Sequence, residues 1–258
     1  MIDLIRGDFE MALEFRNVGK KFENSNRYTL KDMNITIEDG EFVCIVGESG
    51  CGKSTLLNLA AGLERPSEGG IYLDGKAITG PGADRTVMFQ EHGLYPWLTV
   101  EENVKFGMQL QKVDKKEQEE RAAKYLKMVH LQGYEKYRIH QLSGGMRQRV
   151  ALARALTMDS KILLMDEPFS ALDKQTSNRL REELETIWLK TKKTVLFITH
   201  SVEEAVYLGD RVIVLSSTYK GVRDIVPIEL PRPREVYDEA FVEYRHRLLR
   251  EVKSGMPA

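Results

Sequence analysis

The stretch FVCIVGESGCGKSTLLNLAAGL, residues 42–63, constrains the fold more than any other part of the chain. An apolar run leads into a glycine-rich turn and then into an apolar helix-forming segment. That order is the strand–loop–helix unit of an α/β domain, with the strand buried on both faces. The turn meets the pattern G-x-x-x-x-G-K-[ST] through Gly47, Gly52, Lys53 and Ser54. Glycines let backbone N–H groups curl around phosphate oxygens, a lysine neutralises the outer phosphates, and a serine hydroxyl can ligate Mg²⁺. The loop therefore predicts a nucleotide site.

The rest of the chain has the punctuation of the same fold class. Strand-like runs at 42–46, 86–89, 162–165, 195–199 and 211–215 alternate with helical periodicity, as in a parallel sheet. Three shorter, more alternating runs, LEF (13–15), NITIEDG (34–40) and GGIYLDG (69–75), predict a small antiparallel sheet beside it. From about residue 100 to 158 the strand signal gives way to helix signals, which predicts a helical insertion. Asp114 and Glu117 have capping-box spacing, and Ala122, Leu126 and Val129 form one stripe. Asp173 is placed to cap a helix whose apolar face is Leu180, Leu184, Ile187 and Trp188, and Ser201 with Glu204 offers another capping box directly after His200. The tail from residue 227 has two prolines in an extended segment ahead of a charged helix and reads as a peripheral or partly mobile element.

Composition excludes several classes. Lys and Arg number 38 against 39 Asp and Glu, a formal net charge of −1, so no global field favours nucleic acid. Two cysteines, Cys44 and Cys51, are too few and too poorly spaced for a zinc site or a disulfide framework, and read as reduced thiols. No apolar run approaches a membrane span and the first ten residues lack a secretory pattern. At 258 residues, one domain with a subdomain fits better than two independent folds.

Two further stretches carry chemistry. KILLMDEP (161–168) ends an apolar strand in two carboxylates, as a parallel strand does where it opens on a ligand crevice. Beside the phosphate loop, Asp166 is the expected Mg²⁺ partner and Glu167 the general base for an attacking water. LSGGMRQR (142–149) puts a serine cap and two glycines before a helix, a second helix tip suited to an anion.

Taken in order, these motifs are similar to those of the ATPase subunits of ABC transporters, over about residues 12–235. The phosphate loop is followed by Gln90 in VMFQE as the Q-loop, LSGGMRQR as the signature, Asp166 and Glu167, SALD (170–173) as the D-loop, and His200 in ITHS as the switch histidine. The resemblance implies a P-loop NTPase fold. Its RecA-like parallel core would carry a small antiparallel β-subdomain and an α-helical insertion at about 92–158, within an ATPase domain of residues 10–235, with a helical tail at 236–258. It implies that ATP and Mg²⁺ are held by Gly47, Glu48, Ser49, Gly50, Cys51, Gly52, Lys53, Ser54 and Thr55, with Gln90 and Asp166 joining Ser54 at the metal. Glu167, His200, Gln90 and Lys53 would be catalytic. Ser143, Gly144, Gly145 and Gln148 would serve the nucleotide of a second subunit in a head-to-tail homodimer, and Asp173 would signal across that interface. Adenine would stack on Phe22, with Tyr28 as the alternative ring.

FQEHGLYPWLTVEENVKFG (89–107) and IELPRPR (228–234) resemble the branch of importers for nitrate, sulfonates and taurine, whose relatives also handle thiamine precursors. Glu91, Tyr95 and Trp97 would then line the groove for a permease helix, or Trp97 would pack the helical insertion. The implied partners are membrane permease subunits and, through them, an extracytoplasmic solute-binding protein, with the chain peripheral on the cytoplasmic face of the membrane. Cassette ATPases of mechanical work and regulatory, non-hydrolysing cassettes are the competing readings. A single cassette without a coiled coil stands against the first, and Glu167 with His200 against the second.

Overall fold

The computed structural model describes residues 11–22, 27–90 and 93–253. In chain order the strands are β1 Met11–Lys21, β2 Tyr28–Glu38, β3 Phe42–Gly47, β4 Glu68–Leu73, β5 Lys76–Ala77, β6 Arg85–Met88, β7 Ile162–Asp166, β8 Thr194–Ile198, β9 Arg211–Ser216 and β10 Gly221–Pro227. The helices are α1 Lys53–Ala61, α2 Val100–Leu110, α3 Lys115–Met128, α4 Gly144–Thr157, α5 Lys174–Thr191, α6 Val202–Leu208 and α7 Glu239–Lys253. The chain divides into two compact units, Met1–Gly82 with Lys192–Ala258, and Ala83–Thr191.

The first unit holds the antiparallel sheet, in the order β2-β1-β4-β5, and the strands β10-β9-β3-β8. Every residue of β3 is buried. It pairs in parallel with β8 and with β9, Cys44 standing opposite Phe197 on one side and Val212 on the other. A strand hydrogen-bonded along both edges and covered on both faces accepts an unbroken apolar run, which is why FVCIV does not alternate. Phe42 and Phe197, both fully buried with ring centroids 5.8 Å apart, each contribute roughly 1.5–3 kcal/mol by burial. Burial pushes the thiols of Cys44 and Cys51 upward, so both buried cysteines stay protonated.

Several elements exceed the sequence expectation, β1 and β10 among them. LEF grows into the eleven-residue β1 because a bulge resets its alternation. Asn17 takes φ 49, its N–H donates to Asn34 Oδ1 at 2.9 Å, and Val18 returns to the buried face. The edge strand β10, too mixed in polarity to be read from its pattern, pairs antiparallel with β9. Beyond β10 the chain is anchored through Arg232 and Arg234 to backbone carbonyls of residues 206–209.

The second unit pairs β6 with β7 in parallel and carries α2 to α5. Between residues 100 and 157 it has no named strand among the described residues, in keeping with the helical insertion. Ala122, Leu126 and Val129 are buried as one stripe, and so are Leu180, Leu184, Ile187 and Trp188. Asp114 caps α3 by accepting from the Lys116 N–H, but Glu117 accepts from Arg121 rather than closing a capping box. The reciprocal box forms instead between Thr99 and Glu102 at α2. No helix among the described residues is long and apolar enough to cross a membrane.

Candidate functional site

In the first unit, the loop after β3 shapes a phosphate cradle. Gly52 sits at φ 103 ahead of α1, and a Cβ there would fall 2.6 Å from Leu30 Cδ2, so both the backbone and the space demand glycine. No side chain caps α1 and its first turn has no acidic residue, so nothing in the helix competes with an anion for its N-terminal amides. Lys53 is buried, and its ammonium donates to the carbonyls of Gly47 and Glu48 at 2.9 Å each. That fixes a positive charge at the loop. Ser49, Gly50 and Ser54 are exposed and Thr55 is partly so. Glu48 is tethered from the end of the neighbouring strand β9, accepting from the Ser217 hydroxyl at 2.5 Å across 169 positions of sequence, a contact no local pattern reveals.

His200 follows β8 and is exposed. The backbone on either side of it is fixed. Thr199 N–H donates to Ile45 O at 3.1 Å, and Ser201 N–H donates to the Thr199 hydroxyl at 2.9 Å. Ser201 caps α6 by accepting from Glu204 N–H at 3.3 Å. Phe22 is 40 % exposed, with Lys20 Nζ 4.8 Å from its ring centroid. Tyr28 is committed elsewhere, its hydroxyl bonded to Glu68 and its ring 4.0 Å from Lys21 Nζ.

The second unit holds the carboxylates, Gln90 and the other helix tip. Asp166 ends β7, and Glu167 follows with φ 44, a left-handed conformation rare for a residue with a Cβ. Ser170 holds this turn, its N–H and its hydroxyl both donating to Glu167 O, at 3.2 and 2.9 Å. The same hydroxyl accepts from Gln90 Nε2 at 3.1 Å. Gln90 is thereby linked to the backbone of Glu167 through Ser170, a residue whose part the sequence did not disclose.

Ser143 caps α4 by accepting from Met146 N–H at 3.3 Å, and the first turn of α4 has no acidic residue. Asp173 caps α5, its carboxylate accepting from Thr176 N–H at 3.0 Å; that hydrogen bond holds its pKa below the usual value. The two tips meet in a groove of about 380 Å³ lined by Ser143, Gly145, Arg149, Gln175, Thr176 and Arg179. Arg149 is oriented by an ion pair with Glu183 at 2.7 Å. The expectation for Gln148 needs correction. It is 1 % exposed, on the same helix face as the buried Leu152 and Ala155, and its amide has no hydrogen-bond partner among the described residues. A side chain turned into the unit is not presented to another subunit's nucleotide.

Glu91 lies outside the described residues. Tyr95 and Trp97 stand together, with ring centroids 5.5 Å apart, and Tyr95 also packs on Phe106 at 4.4 Å. Trp97 is 68 % exposed, so it does not serve as packing for the helical insertion. Asn103, fully buried, holds the loop, accepting from Tyr95 N–H at 2.8 Å and donating to the carbonyls of Tyr95 and Thr99. The exposed tryptophan therefore stands on a fixed backbone.

Residues 30–170 match the family model described as ABC transporter. The chain is 51% identical over 250 residues to an uncharacterized ABC transporter ATP-binding protein of Methanocaldococcus jannaschii, covering 96% of this chain and 94% of that one. It is 48% identical over 227 residues to the nitrate import ATP-binding protein NrtD of Synechocystis sp., covering 87% and 85%. To the aliphatic sulfonates import ATP-binding protein SsuB of Bacillus cereus it is 41% identical over 247 residues, covering 95% and 97%. Among solved structures, a dimeric post-hydrolysis state of an ATP-binding cassette bound to ADP and Pi matches with a TM-score of 0.73 at 33% identity, covering 85% of this chain and 100% of that one. A family model matched over residues 30–170 and relatives this similar over most of both chains leave one conclusion: the chain belongs to the ABC transporter ATP-binding family.

Proposed function

We propose that the chain is the ATP-hydrolysing subunit of an importer for a small solute of the nitrate, sulfonate and taurine class. The observation that carries this reading is the presence of two anion-ready helix tips in one chain. One follows a glycine loop with a buried lysine, and the other is capped by Ser143 and flanked by Arg149 and Arg179. A single nucleotide needs only the first. The second is explained if two copies lie head to tail, each offering Ser143, Gly144 and Gly145 to the triphosphate in the other's cradle, as the dimeric relative with ADP and Pi suggests. ATP then joins the two copies, and its hydrolysis removes the group that bridges them.

In this mechanism Lys53 and the loop amides hold the β- and γ-phosphates. Glu167 takes a proton from the attacking water, and His200 steadies charge developing on the γ-phosphate. Gln90, tied through Ser170 to Glu167, reports that site to the loop carrying Tyr95 and Trp97. Phe22 is favoured over Tyr28 for adenine because it is 40 % exposed and the Tyr28 hydroxyl is already bonded. The Ser54 hydroxyl, the Asp166 carboxylate and the Gln90 amide oxygen would each offer a hard oxygen of the kind Mg²⁺ takes, in small number, alongside phosphate. When bound, the ion neutralises phosphate charge.

Trp97, an exposed aromatic on a fixed loop, fits the permease contact, which would place the chain peripherally at the membrane. The names of the nitrate and sulfonate relatives support the cargo class, and co-purification from detergent-solubilised membranes with a permease and a nitrate- or sulfonate-binding protein tests it. A permease accompanied by a binding protein for thiamine precursors would move the cargo to the alternative class. The chemistry is tested by Glu167→Gln. It should bind ATP normally, lose turnover and accumulate a nucleotide-bound dimer; unchanged turnover refutes the assigned base.

A further inference from the structure

The proposed mechanism leaves IELPRPR, residues 228–234, without a task. In the fold this segment runs against the C-terminal end of α6, the seven-residue helix that begins two positions after His200. The last carbonyls of a helix lack intrahelical donors and carry the negative end of its dipole. Arg234, 5 % exposed, supplies both donors and charge. Its Nη1 donates to Val206 O at 2.6 Å, Tyr207 O at 3.1 Å and Gly209 O at 2.6 Å. Its Nη2 and Nε turn back to Ile228 O at 3.2 Å and Leu230 O at 3.3 Å, making the tail segment and the helix end one body. Arg232 completes the set, donating to Leu208 O at 2.6 Å and to Asp210 Oδ1 at 2.9 Å. The four carbonyls from 206 to 209 are therefore all held by two guanidinium groups from the tail.

Asp210 extends the brace to β3. Its Oδ2 accepts from Phe42 N–H at 2.9 Å, its own N–H donates to Phe42 O at 2.8 Å, and its carbonyl accepts from Ile228 N–H at 2.8 Å. At its other end α6 is locked to the histidine loop. The Thr199 hydroxyl donates to Glu204 Oε2 at 2.5 Å, and Ser201 caps the first turn. On the same turn Glu203 faces Arg245 of α7 at 3.8 Å. A helix of this length is about 10 Å long. Too short to bend, it passes any movement of its end to its start.

We infer that Arg234, assisted by Arg232, is a positioning residue for His200: by capping the last turn of α6 it fixes the orientation of a short rigid helix whose first turn carries the histidine loop. This rests on the role proposed above for His200. A guanidinium suits the task because its planar fork reaches two carbonyls of α6, that of the Gly209 cap and two of its own segment at once, which a single ammonium cannot.

The test uses the purified full chain with MgATP and the variants Arg234→Lys, Arg232→Ala and His200→Ala. For Arg234→Lys the expected result is a folded protein whose nucleotide affinity stays within about twofold, because the cradle is untouched, while kcat falls about tenfold or more. Hydrogen exchange should accelerate over residues 205–209 and stay unchanged in α1. Arg232→Ala should show the same split to a smaller degree. Wild-type kcat in folded Arg234→Lys overturns the inference, as does a parallel loss of affinity and kcat. If both arginine variants fail to fold, the pair determines the fold and the positioning role is likewise overturned. His200→Ala separates the two readings. If it turns over normally, the role of the histidine itself falls; if it is inactive while Arg234→Lys is fully active, only the positioning inference falls.

Discussion

A Cβ placed on Gly145 would sit 2.7 Å from Thr176 Cγ2, against an ordinary carbon–carbon separation of about 3.5–4.0 Å. The shortfall is about 1 Å, and neither side yields easily. Gly145 is in the first turn of α4, and Thr176 is held in the first turn of α5 by its N–H bond to Asp173. Overpacking of this kind costs typically about 1–3 kcal/mol. Gly145→Ala should therefore push the two helix tips apart by up to about 1 Å, enough for a loss of turnover of up to about a hundredfold where geometry governs the chemistry. Nucleotide affinity measured with a fluorescent ATP analogue should change little, because the cradle lies in the other unit. Thr176→Ser deletes the offending methyl while keeping the hydroxyl. The double variant Gly145→Ala/Thr176→Ser should recover most of the lost turnover, giving a favourable coupling in a double-mutant cycle of about 1 kcal/mol or more. If the double variant stays as inactive as Gly145→Ala, the added methyl obstructs the incoming phosphate itself, and the argument from helix-to-helix packing is wrong.

Two further substitutions probe the links around this unit. Ser170→Ala removes the hydroxyl that joins Gln90 to the Glu167 carbonyl; the two hydrogen bonds lost, each about 0.5–1.5 kcal/mol net, should appear as a drop in melting temperature with a larger fall in kcat than in nucleotide affinity, and unchanged kcat would show the link to be idle. Trp97→Ala should leave ATP binding by the isolated subunit intact, since the ring is mostly exposed and its loop is held by Asn103, while transport by the reconstituted complex falls. Loss of ATP binding in the isolated variant would contradict the coupling role.

The parts of this molecule that sequence reveals are those in which one local rule decides. β3 and β7 are buried almost throughout, so their apolar runs announce them. The cradle needs glycine for steric reasons, and Ser143, Asp173 and Ser201 act on N–H groups only three residues away. Where the deciding partner is remote, the pattern is silent. Ser170 meets a residue 80 positions earlier and Ser217 one 169 positions earlier, and nothing near either serine distinguishes it from an ordinary surface hydroxyl. Glu167 shows a third limit: its left-handed backbone is a rare conformation for a glutamate, maintained by a hydroxyl three residues on.

The tail carries this argument furthest. Prolines and alternating arginines in a polar setting suggest an exposed, loosely held segment, because local rules take an arginine to be solvated. Arg234 is instead buried against carbonyls 25 to 28 residues upstream. Helix α6 is capped at its start by a serine that sequence can identify and at its end by donors that it cannot. A short helix ending in ordinary polar residues has to obtain its C-terminal donors from somewhere. The useful question to put to a sequence is therefore which segments leave their backbone groups unprovided for, and which distant cations remain without an evident purpose. In this chain α6 and Arg234 answer each other.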